Sequence, residues 1–404
     1  MKILHTSDWH LGHTLYNYDR TTEQQAFLQQ LARIVAEEQP DALVVSGDVY
    51  HYSSPAAATQ KMYTDAMLDI HRACPGMTIA VTAGNHDSSS KLEIDSSLWQ
   101  HFGLNVVGNI ERTAEEVNLD KHIIEVKGKE ETKGYIVAVP HVYPQNFPML
   151  DTETPREQRQ ARFFQALLDE VEKRNTECLP VVLMAHLSIE GSDRSGHDES
   201  MGGIEYVPLS TMGTGYDYLA LGHIHCPQDI KGSQRRARYC GTPLPVSFDE
   251  TYPHSVSIVE LKRGKEPQTR SIHIENPIPL VTLPREPIPF EEALQLLADY
   301  PEEQPAYLRL NVLTQGYLPP DCHEKASNAA KGKACKYCYI KTTRERQTDT
   351  DGTRHISIQD MQEMSPLEIA KLYYRETEGE EMDEELCCLM ESVIQRVKMR
   401  SAKE

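Results

Sequence analysis

The chain alternates short, almost wholly apolar runs with longer stretches whose apolar residues recur every three to four positions. That is the pattern of buried strands separated by amphipathic helices. Residues 2–8, 42–48, 78–83, 180–186 and 218–225 read as strands. The segment 21–38 carries Phe27, Leu31, Ile34 and Val35 on one helical face, and 56–73 carries Met62, Met67, Leu68 and Ile70. A further helix is expected across 90–102 around Leu92, Ile94, Leu98 and Trp99. Short strands are expected near 105–107, 122–126 and 135–139. A polar-faced helix over 155–174 would bury Phe163, Phe164, Leu167, Leu168 and Val171. The Gly- and Ser-rich stretch 190–203 reads as a surface loop near any site the strand ends build. Short strands near 237–241 and 255–261 close this part of the chain.

The pattern changes at 276–305, where Pro277, Pro279, Pro284, Pro287, Pro289, Pro301 and Pro305 cluster. This stretch reads as a linker and the start of a smaller α+β domain. That domain is expected to hold a helix over 290–298, a strand over 306–313, a helix near 321–334 and a strand over 335–343. Beyond 355 the chain reads as helical: Ser365-Pro366-Leu367-Glu368 combines a serine cap, a first-turn proline and a third-position glutamate. The last helix carries the stripe Leu386, Leu389, Met390, Val393 and Val397. The expected division is 1–275, 276–350 and 355–404.

Composition narrows the possibilities. No stretch reaches the roughly 18 apolar residues of a membrane helix, and the N-terminus opens on a strand rather than a signal peptide. Nine cysteines without regular spacing are expected to be free thiols, which points to a reducing, cytoplasmic setting. The net charge of −20 argues against coating nucleic acid by bulk electrostatics but not against a nuclease, since bound cations supply positive charge locally. Gly332-Lys333-Ala334 lacks a phosphate-binding loop, so the chain itself should not hydrolyse ATP. Cys335 and Cys338, with Cys322 upstream, have zinc-like spacing. On a strand, however, positions three apart face opposite sides, and ordinary thiols are the expectation.

The chemistry lies at the strand ends. In turn they present Asp8 and His10, then Asp48, then Asn85 and His86, then His186, then His223 and His225. A single such terminus could be surface decoration. Together they converge on the edge where layered α/β proteins collect ligands, and mixed nitrogen and oxygen donors without cysteine suit manganese, iron or zinc better than calcium.

Asp8-Trp9-His10, Gly47-Asp48, Gly84-Asn85-His86-Asp87, His186 and Gly222-His223-Ile224-His225, in that order, resemble the motif set of the calcineurin-like metallophosphoesterases. Residues 3–12, 220–225, Tyr239-Cys240-Gly241-Thr242-Pro243 and Ser247-Phe248-Asp249-Glu250 are similar to the SbcD nuclease subunits in particular. The resemblance implies a β-sandwich flanked by helices, a small α+β capping domain and a helical tail. It implies two divalent metal ions, most simply manganese: one on Asp8, His10 and His225, the other on Asn85, His186 and His223, with Asp48 bridging. It implies that His86 acts on the phosphate, with orientation of a ligand as the alternative, and that Asp87 orients a ligand histidine; by strand alternation His86 is expected to point to different surroundings from Asn85. His51 is either a substrate-contacting histidine or a plain loop residue. The implied activity is exonuclease and endonuclease cleavage of double-stranded DNA ends and hairpins in repair, replication and recombination. The implied partner is an SbcC-type coiled-coil ATPase, gripped by the helical tail, in a nucleoid-associated heterotetramer. The implied homodimer uses the helices at 56–73 and 90–102. The rivals are a phosphoprotein or cyclic-nucleotide hydrolase and a non-enzymatic scaffold for the ATPase.

Overall fold

A computed structural model describes residues 1–344 except 113–116, 129–130 and 197–205, together with residues 367, 370, 371, 373, 374, 382, 383, 386, 387 and 390. Residues 1–343 form one compact unit and 344–404 another. Both tail helices expected at 365–375 and 383–398, and part of the 190–203 loop, lie largely outside the described residues. Among the described residues, no helix is long and apolar enough to cross a membrane.

The first unit runs β1 (Lys2–Thr6), α1 (Thr21–Glu38), β2 (Ala42–Ser46), α2 (Ala57–Ala73), β3 (Thr78–Thr82), α3 (Ser89–Leu92), α4 (Ser96–Trp99), β4 (Leu104–Val107), β5 (Ile123–Lys127), β6 (Thr132–Ala138), α5 (Arg159–Arg174) and β7 (Val181–His186). It continues through β8 (Ser188–Ile189), β9 (Tyr206–Val207), β10 (Tyr218–Gly222), β11 (Gln228–Asp229), β12 (Ala237–Tyr239), β13 (Ser255–Glu260) and β14 (Gln268–His273). It closes with β15 (Leu280–Ile288), α6 (Phe290–Ala298), β16 (Tyr307–Thr314), α7 (Cys322–Ala330) and β17 (Lys336–Arg344).

Two six-stranded sheets, ordered β14-β13-β1-β2-β3-β4 and β11-β12-β10-β7-β6-β5, form a sandwich. Strand alternation explains why the central runs are apolar throughout. Ala42 and Val44 of β2, Val182 and Met184 of β7, and Tyr218 and Ala220 of β10 share the core between the sheets. Leu43 and Val45 face the core against α1 and α2, where Phe27, Leu31 and Met67 sit. Leu183, Leu219 and Leu221 face the one that buries Phe163, Phe164 and Leu167 of α5. At roughly 25 cal/mol per Å², such fully buried leucines and phenylalanines each contribute about 2 kcal/mol.

The helix expected over 90–102 is broken into α3, α4 and a short 3₁₀ turn. Its apolar residues divide accordingly: Leu92 and Trp99 are buried, while Ile94 and Leu98 are exposed. The proline-rich stretch is not only a linker. Residues 280–288 form an edge strand of the three-stranded sheet β15-β16-β17. Its register shifts between Leu283 and Ile288. Proline offers no N–H to a ladder, so Pro284 and Pro287 are tolerated there at an edge and an irregularity.

The small sheet is tied to the sandwich. The buried Tyr307 hydroxyl donates to Glu23 at 2.7 Å and the Tyr18 hydroxyl to the Tyr337 carbonyl at 2.9 Å. The Arg309 guanidinium donates to Asp249 at 2.7 Å.

Two core histidines set an acid limit on this fold. His5 Nδ1 meets the Tyr218 hydroxyl at 2.9 Å, and burial, with the Arg238 charge adding to it, pushes its imidazole down to about 3. His122 donates Nδ1–H to the Ala138 carbonyl at 2.7 Å, and burial pushes it down to about 4. Both folded-state values lie below the unfolded value near 6.5, so the unfolded chain takes up the extra protons. Their contribution is complete above about pH 6.5 and drains as pH falls toward 4. At about 1.4 kcal/mol per pKa unit, each withdraws on the order of 3 kcal/mol by pH 4. Melting temperature should therefore drop steeply between pH 6.5 and 4, and His122→Phe should flatten that slope.

Candidate metal centre

The strands that the sequence singles out deliver their C-terminal residues to one cleft. Asp8 and His10 follow β1, Asp48 follows β2, Asn85 and His86 follow β3, His186 ends β7, and His223 and His225 follow β10. Backbone bonds extend the β1–β2 pairing past the strand ends: Asp8 N–H donates to the Gly47 carbonyl and His10 N–H to that of Asp48, each at 3.0 Å. The chain then turns sharply. Asp8, His10, Asp48 and His223 all adopt positive φ, at 54°, 45°, 52° and 96°. Such geometry costs on the order of 1–3 kcal/mol per residue and gathers at functional sites.

Close approach accounts for the glycines of the motifs. A Cβ on Gly47, at φ 87°, would stand 2.2 Å from His186 Nδ1. One on Gly222 would stand 1.8 Å from the Ser46 carbonyl oxygen. Both β turns must pass side by side, and only glycine lets them.

Two clusters of donor atoms share one oxygen. His10 Nε2 lies 3.2 Å from His225 Nε2 and 3.8 Å from Asp48 Oδ2. His186 Nε2 lies 3.4 Å from that same Asp48 Oδ2 and 2.9 Å from Asn85 Oδ1. His223 Nδ1 is 3.0 Å from Asn85 Oδ1, and the His223 amide donates to Asp8 Oδ1 at 3.0 Å. The ligating atoms of Asp8, His10 and His225 lie within 4.8 Å of one another, as do those of Asp8, Asp48 and His186. Burial pushes the Asp48 carboxyl up, but the His186 and His10 imidazoles outweigh it and hold the group well below the usual carboxylate range. His186 is raised in turn by Asp48, against burial.

The other expected residues are here too. His86 donates its amide to Asp48 Oδ1 at 2.9 Å, and its Nδ1 meets the His51 carbonyl at 2.9 Å. His51 stacks on His86 with ring centroids 5.2 Å apart, and its Nδ1 lies 3.3 Å from His10 Nδ1. Burial, with His86 adding to it, pushes His51 down to about 4.

Two expectations are corrected. Strand alternation would turn His86 away from Asn85, but residues 84–87 form a turn beyond β3 and both side chains line the same cleft. Asp87 orients no histidine: its carboxylate accepts the backbone N–H groups of Val49, Tyr50 and Gly84 at 3.1, 2.8 and 2.9 Å. It shapes the turn instead.

The residue that orients a histidine is Glu250, whose role the sequence does not disclose although its segment is part of the resemblance. Its Oε1 accepts from His225 Nδ1 at 2.9 Å, while Oε2 accepts from Thr242 and the Val246 amide at 3.1 and 3.3 Å. His13, equally unmarked in the sequence, lines the cleft beside His51, with ring centroids 4.6 Å apart. Among the described residues, the cysteines form no comparable set. Cys335 packs in the small domain's core with Cys322, whereas Cys338 faces the Leu15–Phe248–Tyr307 cluster on the other side of β17. Among the described residues, every cluster close enough to hold an ion lies in the cleft.

Residues 1–227 match the family model of the calcineurin-like phosphoesterases, and 277–378 match that of the type 5 capsule protein repressor C-terminal domain. The SbcD subunit of the SbcCD nuclease of Rhodobacter capsulatus is 34% identical over 326 residues, covering 77% of this chain and 80% of that one. Those of Escherichia coli and Bacillus subtilis are 26% and 28% identical, covering 95% and 100% of this chain and 94% and 100% of theirs. The chain belongs to the SbcD family of calcineurin-like phosphoesterases.

Membership makes this SbcD-family chain a metal-dependent phosphoesterase, and its own donor atoms fit that chemistry. With Nδ1–H given to the Ser46 carbonyl at 2.8 Å, a neutral His186 turns a bare Nε2 toward Asn85 Oδ1. A cation taking the place of the proton that Asp48 favours on His186 would join these two atoms, 2.9 Å apart. With Nδ1–H given to Glu250, His225 likewise turns Nε2 toward His10. Loss of such outer hydrogen-bond partners costs about 10- to 100-fold in metal affinity. Glu250→Gln is therefore expected to weaken one of two ion-binding steps by that factor, measured by manganese titration calorimetry, and to leave the other unchanged.

Proposed function

We propose that this chain is the nuclease subunit of an SbcCD-type complex, a two-metal DNA exonuclease and endonuclease. In this reading Asp8, His10 and His225 hold one divalent ion, Asn85, His186 and His223 hold the other, and Asp48 belongs to both. The carrying observation is that a single oxygen, Asp48 Oδ2, faces a donor nitrogen from each cluster. Manganese suits the nitrogen–oxygen donor set. A pair of such ions supplies neutralisation of phosphate charge and an acidified water for in-line attack.

The chain's own residues do the rest. His86 is held by its amide on Asp48 and by Nδ1 on the His51 carbonyl, which leaves Nε2 for the substrate. There it can give a proton to the leaving sugar oxygen or stabilise charge on the phosphoryl group. His51 keeps His86 in place by stacking and by its carbonyl, and it reaches the substrate's neighbourhood from the same wall.

The relatives' shared name supports an SbcC-type coiled-coil ATPase as partner, with residues 355–404 as the segment that grips it, in a nucleoid-associated complex. Exposed Ile94 and Leu98 support a homodimer within a heterotetramer. Buried Met67 and Trp99 serve the chain's own core. The domain division carried forward is 1–275, 276–350 and 355–404.

The test is manganese-dependent cleavage of an end-labelled duplex and a hairpin, with and without the ATPase, by wild type and His86→Ala. Cleavage by wild type that His86→Ala loses while still binding metal supports the reading. Robust phosphomonoester turnover without DNA cleavage, even with the partner present, overturns it.

A further inference from the structure

A second, larger cavity, of about 770 Å³, shares Asn85 with the histidine-lined cleft. Gly84, Asn85 and Asp87 form its inner wall, so it opens directly off the metal centre. It is also lined by His141 and Tyr143 from the segment after β6, Arg159 at the start of α5 and Arg112 from the segment between β4 and β5. Neither the expected roles nor the proposed reaction uses any of these four residues.

Their chemistry is unusual for this chain. The protein carries a net charge of −20, yet among the described residues the one carboxylate lining the cavity is Asp87, whose oxygens are already taken by three backbone amides. Against it stand two guanidinium groups. Arg159 Nε is buried without a hydrogen-bond partner among the described residues, whereas His141 spends its Nδ1–H on the carbonyl of His186. Tyr143 stands beside His141, with ring centroids 5.1 Å apart, and is 57% exposed. A cavity of this size is ample for a ligand the size of a nucleotide. An unpartnered guanidinium N–H beside an open aromatic ring is what a phosphate and a base together require.

We propose that this cavity is a single-strand subsite. It seats the unpaired nucleotide next to the phosphodiester at the metal centre, with the base on Tyr143 and the phosphate toward Arg159. The inference rests on the nuclease reading and adds to it where the cut strand lies. Stacking is indifferent to base identity, so the subsite accepts any sequence but needs an unpaired base.

Binding of a fluorescein-labelled oligothymidylate to the full chain, followed by anisotropy, tests this. Tyr143→Ala should weaken binding by about 5- to 150-fold, and Tyr143→Phe should restore it, since the ring and not the hydroxyl carries the stacking. Arg159→Met should lower the slope of log Kd against log salt by about 0.7, a change that loss of fold does not produce. Equal affinity and salt slope in wild type and variants, with wild type still cleaving DNA, overturns the subsite and leaves the nuclease reading standing. A wild type that neither binds the oligothymidylate nor cleaves DNA with the ATPase overturns both.

Discussion

Asp48→Asn is expected to empty both ion positions at once and to lower DNA cleavage by ~10³-fold or more. The charge stabilisation that two ions supply is worth several kcal/mol, and each 1.4 kcal/mol is about a factor of ten in rate. The substitution is a clean one. An amide oxygen can still accept from the His86 amide, so that hydrogen bond at Oδ1 survives while the negative charge facing His10 and His186 is lost. His10→Ala and His186→Ala should instead remove one ion each, because each belongs to one cluster. Metal stoichiometry by titration and elemental analysis reads the difference. Two ions retained in Asp48→Asn at ordinary affinity would take away the bridging role.

The second large effect is expected at His86. His86→Ala should lower kcat by about 10²- to 10⁴-fold, the usual share of a general acid, with both ions still bound. Its side chain makes an edge-on contact with His10, ring centroids 4.9 Å apart, and stacks on His51. Loss of one ion along with activity would reassign it to orienting His10. Near-normal cleavage would remove it from the reaction altogether.

What the sequence discloses is the part built from regular periods. Each central strand of both sheets is an apolar run because it is covered on both faces, and each run ends in a donor because the chain leaves the core there. Asp8, Asp48, Asn85, His186 and His223 are legible for that reason. Where the backbone turns, periodicity says nothing. Treating 84–87 as a strand sends His86 the wrong way, and it gives Asp87 a histidine partner when three backbone amides in the turn claim it. Glu250 and His141 reach the centre through tertiary contacts at separations of 25 and 45 residues, which no local pattern encodes. The edge strand at 280–288 is hidden by its prolines, which mark loops everywhere except at an irregular sheet edge.

The crowded ring nitrogens of His10 and His225 and the left-handed turns at Asp8, His10, Asp48 and His223 have a thermodynamic consequence. Both are costs of the folded chain that a bound cation offsets and that the unfolded chain never incurs. Folding and ion uptake are then one linked equilibrium, and the melting temperature becomes a gauge of the free divalent ion. At a hundredfold excess over the dissociation constant, each site adds about 2.7 kcal/mol to the native state. A chain starved of metal is thus idle and also closer to unfolding, which makes the supply of the ion a control on how much of the protein persists.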